Sequence, residues 1–137
     1  MKILIINGPN LNLLGTRQPE VYGSKTFEEY LAELKKKYPA VQFDYFQSNV
    51  EGELINKLHA ADKNFNGIII NAGAYTHTSV AIADAVAGIS TSVIEVHISN
   101  IFAREDFRHV SYLGRHCKGS VSGFGLKSYE LALQSFL

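Results

Sequence analysis

The sequence has few of the features that mark secreted, disulfide-bonded or membrane proteins. Its single cysteine, Cys117, cannot form a disulfide within the chain, which predicts a reducing compartment. Its apolar runs are far shorter than the roughly 20 residues that a transmembrane helix needs. The opening MKILIING has an apolar part too short for the core of a signal peptide. We therefore expect a cytoplasmic protein.

The chain also lacks an excess of either charge. Lys and Arg together number 13, as do Asp and Glu, so the net charge is zero. No basic stripe indicates nucleic-acid binding, and no polybasic segment indicates attachment to anionic lipid. The Walker A and G-x-S-x-G motifs are missing, and no spacing of histidines and carboxylates is typical of a metal site. We therefore expect no metal, nucleic-acid or membrane partner.

What is present is an ordinary globular composition in which apolar strands alternate with helices. The 137 residues, 46% of them hydrophobic, fit one domain spanning residues 1–137. Strands are predicted at residues 2–7 and 41–47, over the apolar part of FNGIIINAG, over SVIEVHISN and within GSVSGFG. Helices are predicted at residues 26–38, from 48 to about 63, from 78 or 79 to about 88, and at 127–137, with a short helical piece within 104–113.

Two of the helices are predicted to begin with a capping box. Thr26 precedes Glu29 by three residues, and Ser48 precedes Glu51 by the same spacing. In a capping box the hydroxyl and the carboxylate satisfy the first free N–H groups of the helix. Pro39 ends the first of these helices.

Strands that alternate with helices predict a parallel sheet covered on both faces. With right-handed crossovers, the chain would form a flavodoxin-like, three-layer α/β sandwich, with a five-stranded parallel sheet of order 2-1-3-4-5. Sheets of this kind bind ligands outside the carboxyl ends of their strands. Site residues are therefore expected after strands one, three and four.

The fourth strand has two ionisable residues on one side. Glu95 and His97 are two positions apart, so their side chains point to the same face. They could form a polar patch at an edge strand, or His97 could transfer protons with its tautomer fixed by a neighbouring acceptor. Ile98 and Ser99 then offer N–H groups and a hydroxyl for an anion such as a carboxylate.

Further polar residues follow the third and fourth strands. Asn71 ends strand three, and its amide can donate and accept without charge. His77 could be an exposed loop residue or a substrate contact. Arg104 and Arg108 have the i, i+4 spacing that places two residues on one helix face, either solvated or as a guanidinium clamp. Asp84 alone would be a solvated helix residue.

The seventeen residues NGPNLNLLGTRQPEVYG form an unusually long connection after the first strand. A phenol loses its proton near pH ~10, too high for a base at neutral pH. Arg17, five residues before Tyr22, would lower the pKa of that phenol, and the loop would close as a lid that excludes water. Alternatively, Tyr22 packs on the domain and Arg17 is solvated.

Four motifs, in this order, resemble those of the type II 3-dehydroquinate dehydratases: NGPNLNLLGTRQPEVYG, NAGAYTHTSVAIADA, IEVHISN and AREDFRHVSYL. The resemblance covers nearly the whole chain, although Gln18 replaces a glutamate that is usual in the family. It implies a cofactor-free, flavodoxin-like hydro-lyase that converts 3-dehydroquinate to 3-dehydroshikimate in the shikimate pathway. The elimination would be anti, through an enolate. The family is typically homododecameric, a tetramer of trimers.

The resemblance also implies a role for each site residue. Tyr22 would remove the proton next to the ketone, and Arg17 would hold it as phenolate. Asn10 would hold a water against the enolate oxygen. His97 would protonate the departing hydroxyl, and Glu95 would position His97. The substrate-binding residues would be Asn71, His77, Asp84, Ile98, Ser99 and Arg108, with Ile98 and Ser99 at the carboxylate.

Some of these expectations concern neighbouring subunits and alternative chemistry. Asp84 would reach the site of an adjacent subunit across the trimer interface. Arg104 would belong to a mobile region of the active site. An imine route would need a lysine with a depressed pKa, and only Lys25, at the end of the long loop, has a position worth testing.

Two other function classes stay open at this point. A flavodoxin-like signalling module would need an aspartate where strand three ends, but Asn71 stands there. A flavodoxin would need a hydroxyl-rich phosphate loop after strand one, and NGPNLN is not one. Another lyase or isomerase acting on a small carboxylated polyol remains the enzymatic alternative.

Overall fold

The computed structural model describes residues 1–16 and 19–137. In this part of the chain, five strands form one sheet of order β2-β1-β3-β4-β5, and every neighbouring pair is parallel, which confirms the predicted topology. The strands are β1 (Lys2–Asn7), β2 (Gln42–Gln47), β3 (Gly67–Asn71), β4 (Val93–His97) and β5 (Gly119–Ser122).

Helices connect the strands at nearly the predicted positions. They are α1 (Pro19–Tyr22), α2 (Phe27–Lys37), α3 (Glu51–Ala61), α4 (Val80–Gly88) and α5 (Lys127–Gln134). The one-turn helix α1 was not predicted, and it lies within the long connection after β1. Short 3₁₀ turns follow β1, β3 and β4. Among the described residues, no helix has both the length and the apolar character needed to cross a membrane.

One of the two predicted capping boxes is wrong. Thr26 does cap α2, because its Oγ1 accepts a hydrogen bond of 3.1 Å from the N–H of Glu29. Ser48 does not cap α3, since that helix begins after Val50. The Ser48 hydroxyl instead accepts from the N–H of Val50, two residues on, in a local turn that competes with helix capping.

The alternation of strand side chains fills two cores, one on each face of the sheet. On one face, Ile3, Ile5 and Ile69 pack with residues of α2 and α5. On the other face, Leu4, Ile6 and Ile68 pack with residues of α3 and α4. The three-layer sandwich is therefore confirmed, and the polar residues at the strand ends are left along the carboxyl edge.

A buried chain of hydrogen bonds ties two of these strand ends together. Tyr129 on α5 donates to Asn7 Oδ1 (2.7 Å) and accepts from Asn71 Nδ2 (3.0 Å). Burial raises the pKa of Tyr129, so its phenol stays protonated and can donate. Gly8 follows β1 so close to β3 that an added Cβ would lie 2.5 Å from the carbonyl oxygen of Ala72. The floor of the carboxyl edge is therefore tightly packed.

Candidate active site

A cavity opens at the carboxyl edge of the sheet, beyond the ends of β1, β3 and β4. Its walls come from the turn after β1, the turn after β3 and the segment after β4. The predicted site residues that line it are Asn10, Asn71, His77, His97, Ile98, Ser99, Arg104 and Arg108. Residues that are far apart in the sequence thus meet at the position that the topology predicted.

His97 on β4 lines the cavity, and it is hydrogen-bonded to Glu95 on the same strand. His97 Nε2 lies 2.9 Å from Glu95 Oε2, and the two residues are only 6% and 2% exposed. Burial alone would raise the pKa of Glu95, but the hydrogen bonds from His97 and Ser111 outweigh it and lower that pKa. Glu95 is therefore ionised, and it holds His97 in the tautomer that carries its proton on Nε2.

The alternative interpretation of this pair, a polar patch at a sheet edge, does not fit. β4 lies between β3 and β5 and is not an edge strand. An ionised carboxylate is costly to bury unless it is hydrogen-bonded and paired. A buried Glu–His pair whose histidine lines a cavity is therefore suited to moving a proton.

The structure adds one residue that the sequence did not reveal. The Ser111 hydroxyl donates to Glu95 Oε2, the same oxygen that His97 contacts. Its own oxygen accepts from the N–H of Gly114 at 3.0 Å. Ser111 is sixteen residues from Glu95 along the chain, in an irregular segment, so no local periodicity connects the two.

His77 lies beside His97 and is half-buried. Its Nδ1 is 2.7 Å from the carbonyl oxygen of Val110, which requires a proton on Nδ1. The two imidazole rings are stacked, with centroids 6.2 Å apart. Burial lowers the pKa of His77, and the nearby charges of His97 and Arg108 lower it further. A neutral His77 offers Nε2 as a hydrogen-bond acceptor.

The two arginines after β4 do not share an α-helix. The prediction that an i, i+4 helical spacing places them on one face is therefore wrong. Arg104 has an extended backbone between two short 3₁₀ turns, Ile101–Ala103 and Asp106–His109. Its Nη1 lies 3.3 Å from Ser99 Oγ, and Arg108 Nε donates to Glu105 at 3.1 Å. Both guanidinium groups still line the cavity, because the segment folds back over it.

The two asparagines take different backbone conformations. Asn71 accepts from the N–H of Gly73 at 3.1 Å, which orients its amide at the end of β3. Asn10 has a left-handed backbone with φ of 70°, which asparagine tolerates better than most residues. Its N–H is held by Asn49 Oδ1 at 3.0 Å. The side-chain amide of Asn71 is therefore oriented by its neighbours, whereas for Asn10 it is the backbone that is held.

Two predicted residues in the described part of the chain, Glu95 and Asp84, are not among the residues that line the cavity. Asp84 is exposed on α4 and is not among the lining residues. Arg17 lies outside the described residues, and so does the side chain of Tyr22. The lid hypothesis and the cation-activated phenol therefore remain predictions.

Other kinds of chemistry have little support in the described residues. No cluster of three or more His, Cys, Asp or Glu with metal-binding geometry occurs among them. No described lysine lines the cavity, and Lys25 instead pairs with Glu33 at 2.8 Å on the surface. Burial raises the pKa of Cys117 to about 12, so its thiol is not a ready nucleophile.

Comparison with known proteins shows the family to which this chain belongs. Residues 1–137 match the sequence model of the family described as dehydroquinase class II. A 3-dehydroquinate dehydratase of Prochlorococcus marinus (strain MIT 9215) is 52% identical over 139 residues, covering 100% of this chain and 95% of the relative. One from Exiguobacterium sp. (strain ATCC BAA-1283 / AT1b) is 53% identical, with 100% and 94% covered.

A solved structure shows the same similarity in three dimensions. The type II dehydroquinase from Butyrivibrio crossotus DSM 2876 superposes with a TM-score of 0.94 at 44% sequence identity. The alignment covers 99% of this chain and 97% of that chain.

Proposed function

This chain belongs to the class II dehydroquinase family, and we infer that it removes water from 3-dehydroquinate to give 3-dehydroshikimate. The reaction is that of a hydro-lyase in the shikimate pathway. The observation that carries the proposal is the buried Glu95–His97 pair, whose histidine lines a cavity together with two arginines. We propose that residues 1–137 form a single catalytic domain, acting in the cytoplasm.

The reaction makes three chemical demands. A base must take the proton from the carbon next to the ketone, and the enolate that forms must be stabilised. An acid must then protonate the hydroxyl on the neighbouring carbon so that it leaves as water. The cavity wall formed by β4 supplies the acid, and the long connection after β1 supplies the base.

His97 is the proposed acid. In its protonated form it gives a proton to the departing hydroxyl and returns to the neutral ring. Glu95 holds Nε2–H at 2.9 Å throughout and balances the charge of the imidazolium. Because Nε2 is occupied, the proton that is transferred comes from Nδ1, for which the described residues provide no hydrogen-bond partner.

Tyr22 is the proposed base, and Arg17 is the cation that keeps its phenol deprotonated. This part of the proposal is supported by the sequence motif and by the chemistry, since a nearby guanidinium favours a phenolate. Asn10, which lines the cavity, would hold a water against the enolate oxygen. The segment that contains Arg17 and Tyr22 would close over the substrate.

The remaining cavity residues are proposed to bind the substrate. The N–H of Ile98 and the N–H and hydroxyl of Ser99 would receive the carboxylate. His77 and Arg108 would contact the ring hydroxyls, and Asn71 would contact the ring from the end of β3. Each of these five residues lines the cavity.

Asp84 is proposed to act in a neighbouring subunit. It is exposed on α4 and lies away from the cavity of its own chain, as a residue with that role would. The proposed assembly is a homododecamer, a tetramer of trimers. Sedimentation velocity measures the mass of the assembly, and a monomer with full activity would contradict both proposals.

The proposed function is tested with purified protein and 3-dehydroquinate. The conjugated enone of the product absorbs in the ultraviolet, so turnover is followed directly. A binding module would give no signal, and neither would a lyase or isomerase specific for another polyol. Loss of activity on adding borohydride together with substrate would indicate an imine route and contradict enolate chemistry.

Substitution of the base gives the sharpest test of the mechanism. Tyr22→Phe is expected to abolish turnover while the circular dichroism spectrum stays unchanged, and Arg17→Ala should be similarly severe. Tyr38→Phe is the matched control, because Tyr38 lies after α2, remote from the cavity, and should leave turnover unchanged. A Tyr22→Phe enzyme with near-normal turnover would exclude Tyr22 as the base.

A further inference from the structure

We propose that Ser111 is a positioning residue that fixes the Glu95 carboxylate for His97. The proposal rests on the proposed function, in which His97 is the acid. It is carried by the contacts that Ser111 and its neighbours make around one buried carboxylate.

The first contact fixes the direction of the serine proton. A serine hydroxyl can usually rotate, because it has one donor and two acceptor sites. Here the Ser111 oxygen already accepts from the N–H of Gly114 at 3.0 Å. The hydroxyl proton then points to Glu95 Oε2, the oxygen that also accepts from His97 Nε2. One carboxylate oxygen is thus held between two donors.

The second contact confines the other carboxylate oxygen. A Cβ added to Gly114 would lie 3.0 Å from Glu95 Oε1 and 3.3 Å from Ser111 Oγ. Contacts of this length are tighter than ordinary van der Waals contact, so Gly114 packs closely against the carboxylate. The turn from Ser111 to Gly114 therefore restricts both oxygens of Glu95.

The backbone on either side of Ser111 is anchored without its side chain. The carbonyl oxygen of Val110 accepts from His77 Nδ1 at 2.7 Å. The N–H of Tyr112 donates to the carbonyl oxygen of Thr76 at 2.9 Å. Removal of the serine hydroxyl alone should leave the segment in place, so Ser111→Ala is expected to fold.

The chemical reason for this arrangement is the geometry of proton transfer. A carboxylate that is held by one hydrogen bond can rotate. The imidazole is then no longer restricted to the tautomer with its proton on Nε2. With Ser111 in place, Oε2 faces His97 Nε2, and the acidic proton stays on the nitrogen that remains free. Small changes in orientation matter, since general acid catalysis requires hydrogen-bond reach to the reacting atom.

The test compares Ser111→Ala with the wild-type protein in two measurements. The kcat for 3-dehydroquinate should fall about 10-fold to 100-fold, the range seen when partners that orient a histidine are lost at metal sites, with KM changed less than threefold. Ser135→Ala is the matched control, because it removes one serine hydroxyl bond, to Ala132, far from the cavity. It should leave kcat unchanged.

The second measurement does not depend on turnover. In ¹⁵N spectra of the free protein, neutral His97 should show a single tautomer protonated on Nε2, and Ser111→Ala should show a mixture. Gly114→Ala, which crowds Glu95 Oε1, should disturb the same signal. An unchanged tautomer in both variants would overturn the proposal, as would a normal kcat in Ser111→Ala. A wild-type protein without dehydratase activity would refute the proposed function, while the tautomer comparison would still decide the role of Ser111.

Discussion

The two ends of the parallel sheet use polar side chains in opposite ways. At the carboxyl end, Glu95 and His97 are buried and bonded to each other, yet His97 still lines a cavity. At the amino end, Asp62 Oδ1 accepts four hydrogen bonds of 2.9 to 3.1 Å from the N–H and hydroxyl groups of Ser90 and Thr91. Those bonds close one loop onto another.

The difference separates a site proposed to take part in the reaction from a set of hydrogen bonds that only stabilises the fold. A polar group can serve a reaction when the bonds that hold it leave one atom free to meet the substrate, as is proposed for His97. At Asp62 the hydrogen bonds are made to groups of a neighbouring loop. Such bonds contribute to the stability of the fold alone. Substitutions at the carboxyl end should therefore change mainly activity, and those at the amino end mainly stability.

The largest expected effect is at His97. His97→Asn keeps a polar side chain beside Glu95 but cannot supply a proton. We expect kcat to fall about 10²-fold to 10⁴-fold, the usual contribution of a general acid, with little change in melting temperature. His59→Asn, on the exposed surface of α3, should leave kcat unchanged. A His97→Asn protein with a lowered melting temperature and normal turnover would contradict the expectation that the carboxyl end affects mainly activity.

Tyr129 sharpens the comparison, because it lies beneath the carboxyl end but does not face the cavity. Tyr129→Phe would leave Asn7 Oδ1 and Asn71 Nδ2 without their buried partner. An unsatisfied buried group costs about 1–3 kcal/mol, so the free energy of unfolding should fall by about that amount. Urea denaturation measures it, with Tyr112→Phe, a change at a phenol on an exposed side chain, as the control. Unchanged stability would show that these amides find other partners.

The smallest expected effect is the pH dependence that arises from Asp62. Partial burial would raise the pKa of this carboxyl, but the bonds from Ser90 and Thr91 outweigh it and lower the pKa to about 2. Its stabilisation is therefore complete above the ordinary pKa of an aspartate and is lost as the pH falls toward 2.

The measurement for Asp62 is the melting temperature as a function of pH. Between about pH 4 and pH 2, the wild type should lose more stability than Asp62→Asn, whose neutral amide does not titrate. Turnover at neutral pH should be equal in the two proteins. If the melting temperatures of the two proteins fall equally with pH, the Asp62 carboxylate adds nothing to stability. A large loss of turnover in Asp62→Asn would contradict the view that the amino end of the sheet affects stability alone.

Most of the fold follows from the sequence because its causes are local or periodic. Buried apolar strands such as IIIN alternate with helices such as α2, and that alternation decides the parallel order of the sheet. The Glu95–His97 pair was also predictable. Two ionisable residues in an apolar strand are costly to bury unless they are paired, and their spacing makes pairing possible.

The remaining features depend on contacts between distant segments. Ser111 reaches Glu95 only because the segment after β4 folds back, which no sequence period describes. The Ser48 capping box failed because a hydroxyl can bond the N–H two residues on as readily as that of a helix. Arg104 and Arg108 meet the cavity through two short turns and not through one helix.

The most direct test of the account uses 3-dehydroquinate labelled with deuterium at one of the two positions on the carbon next to the ketone. Two stereospecifically labelled samples are converted by the wild-type protein, and the deuterium content of the product is read by mass spectrometry. If the base and His97 act from opposite faces, deuterium anti to the departing hydroxyl is lost and deuterium syn to it is retained. Loss of the syn deuterium, or loss from both positions alike, would contradict the account.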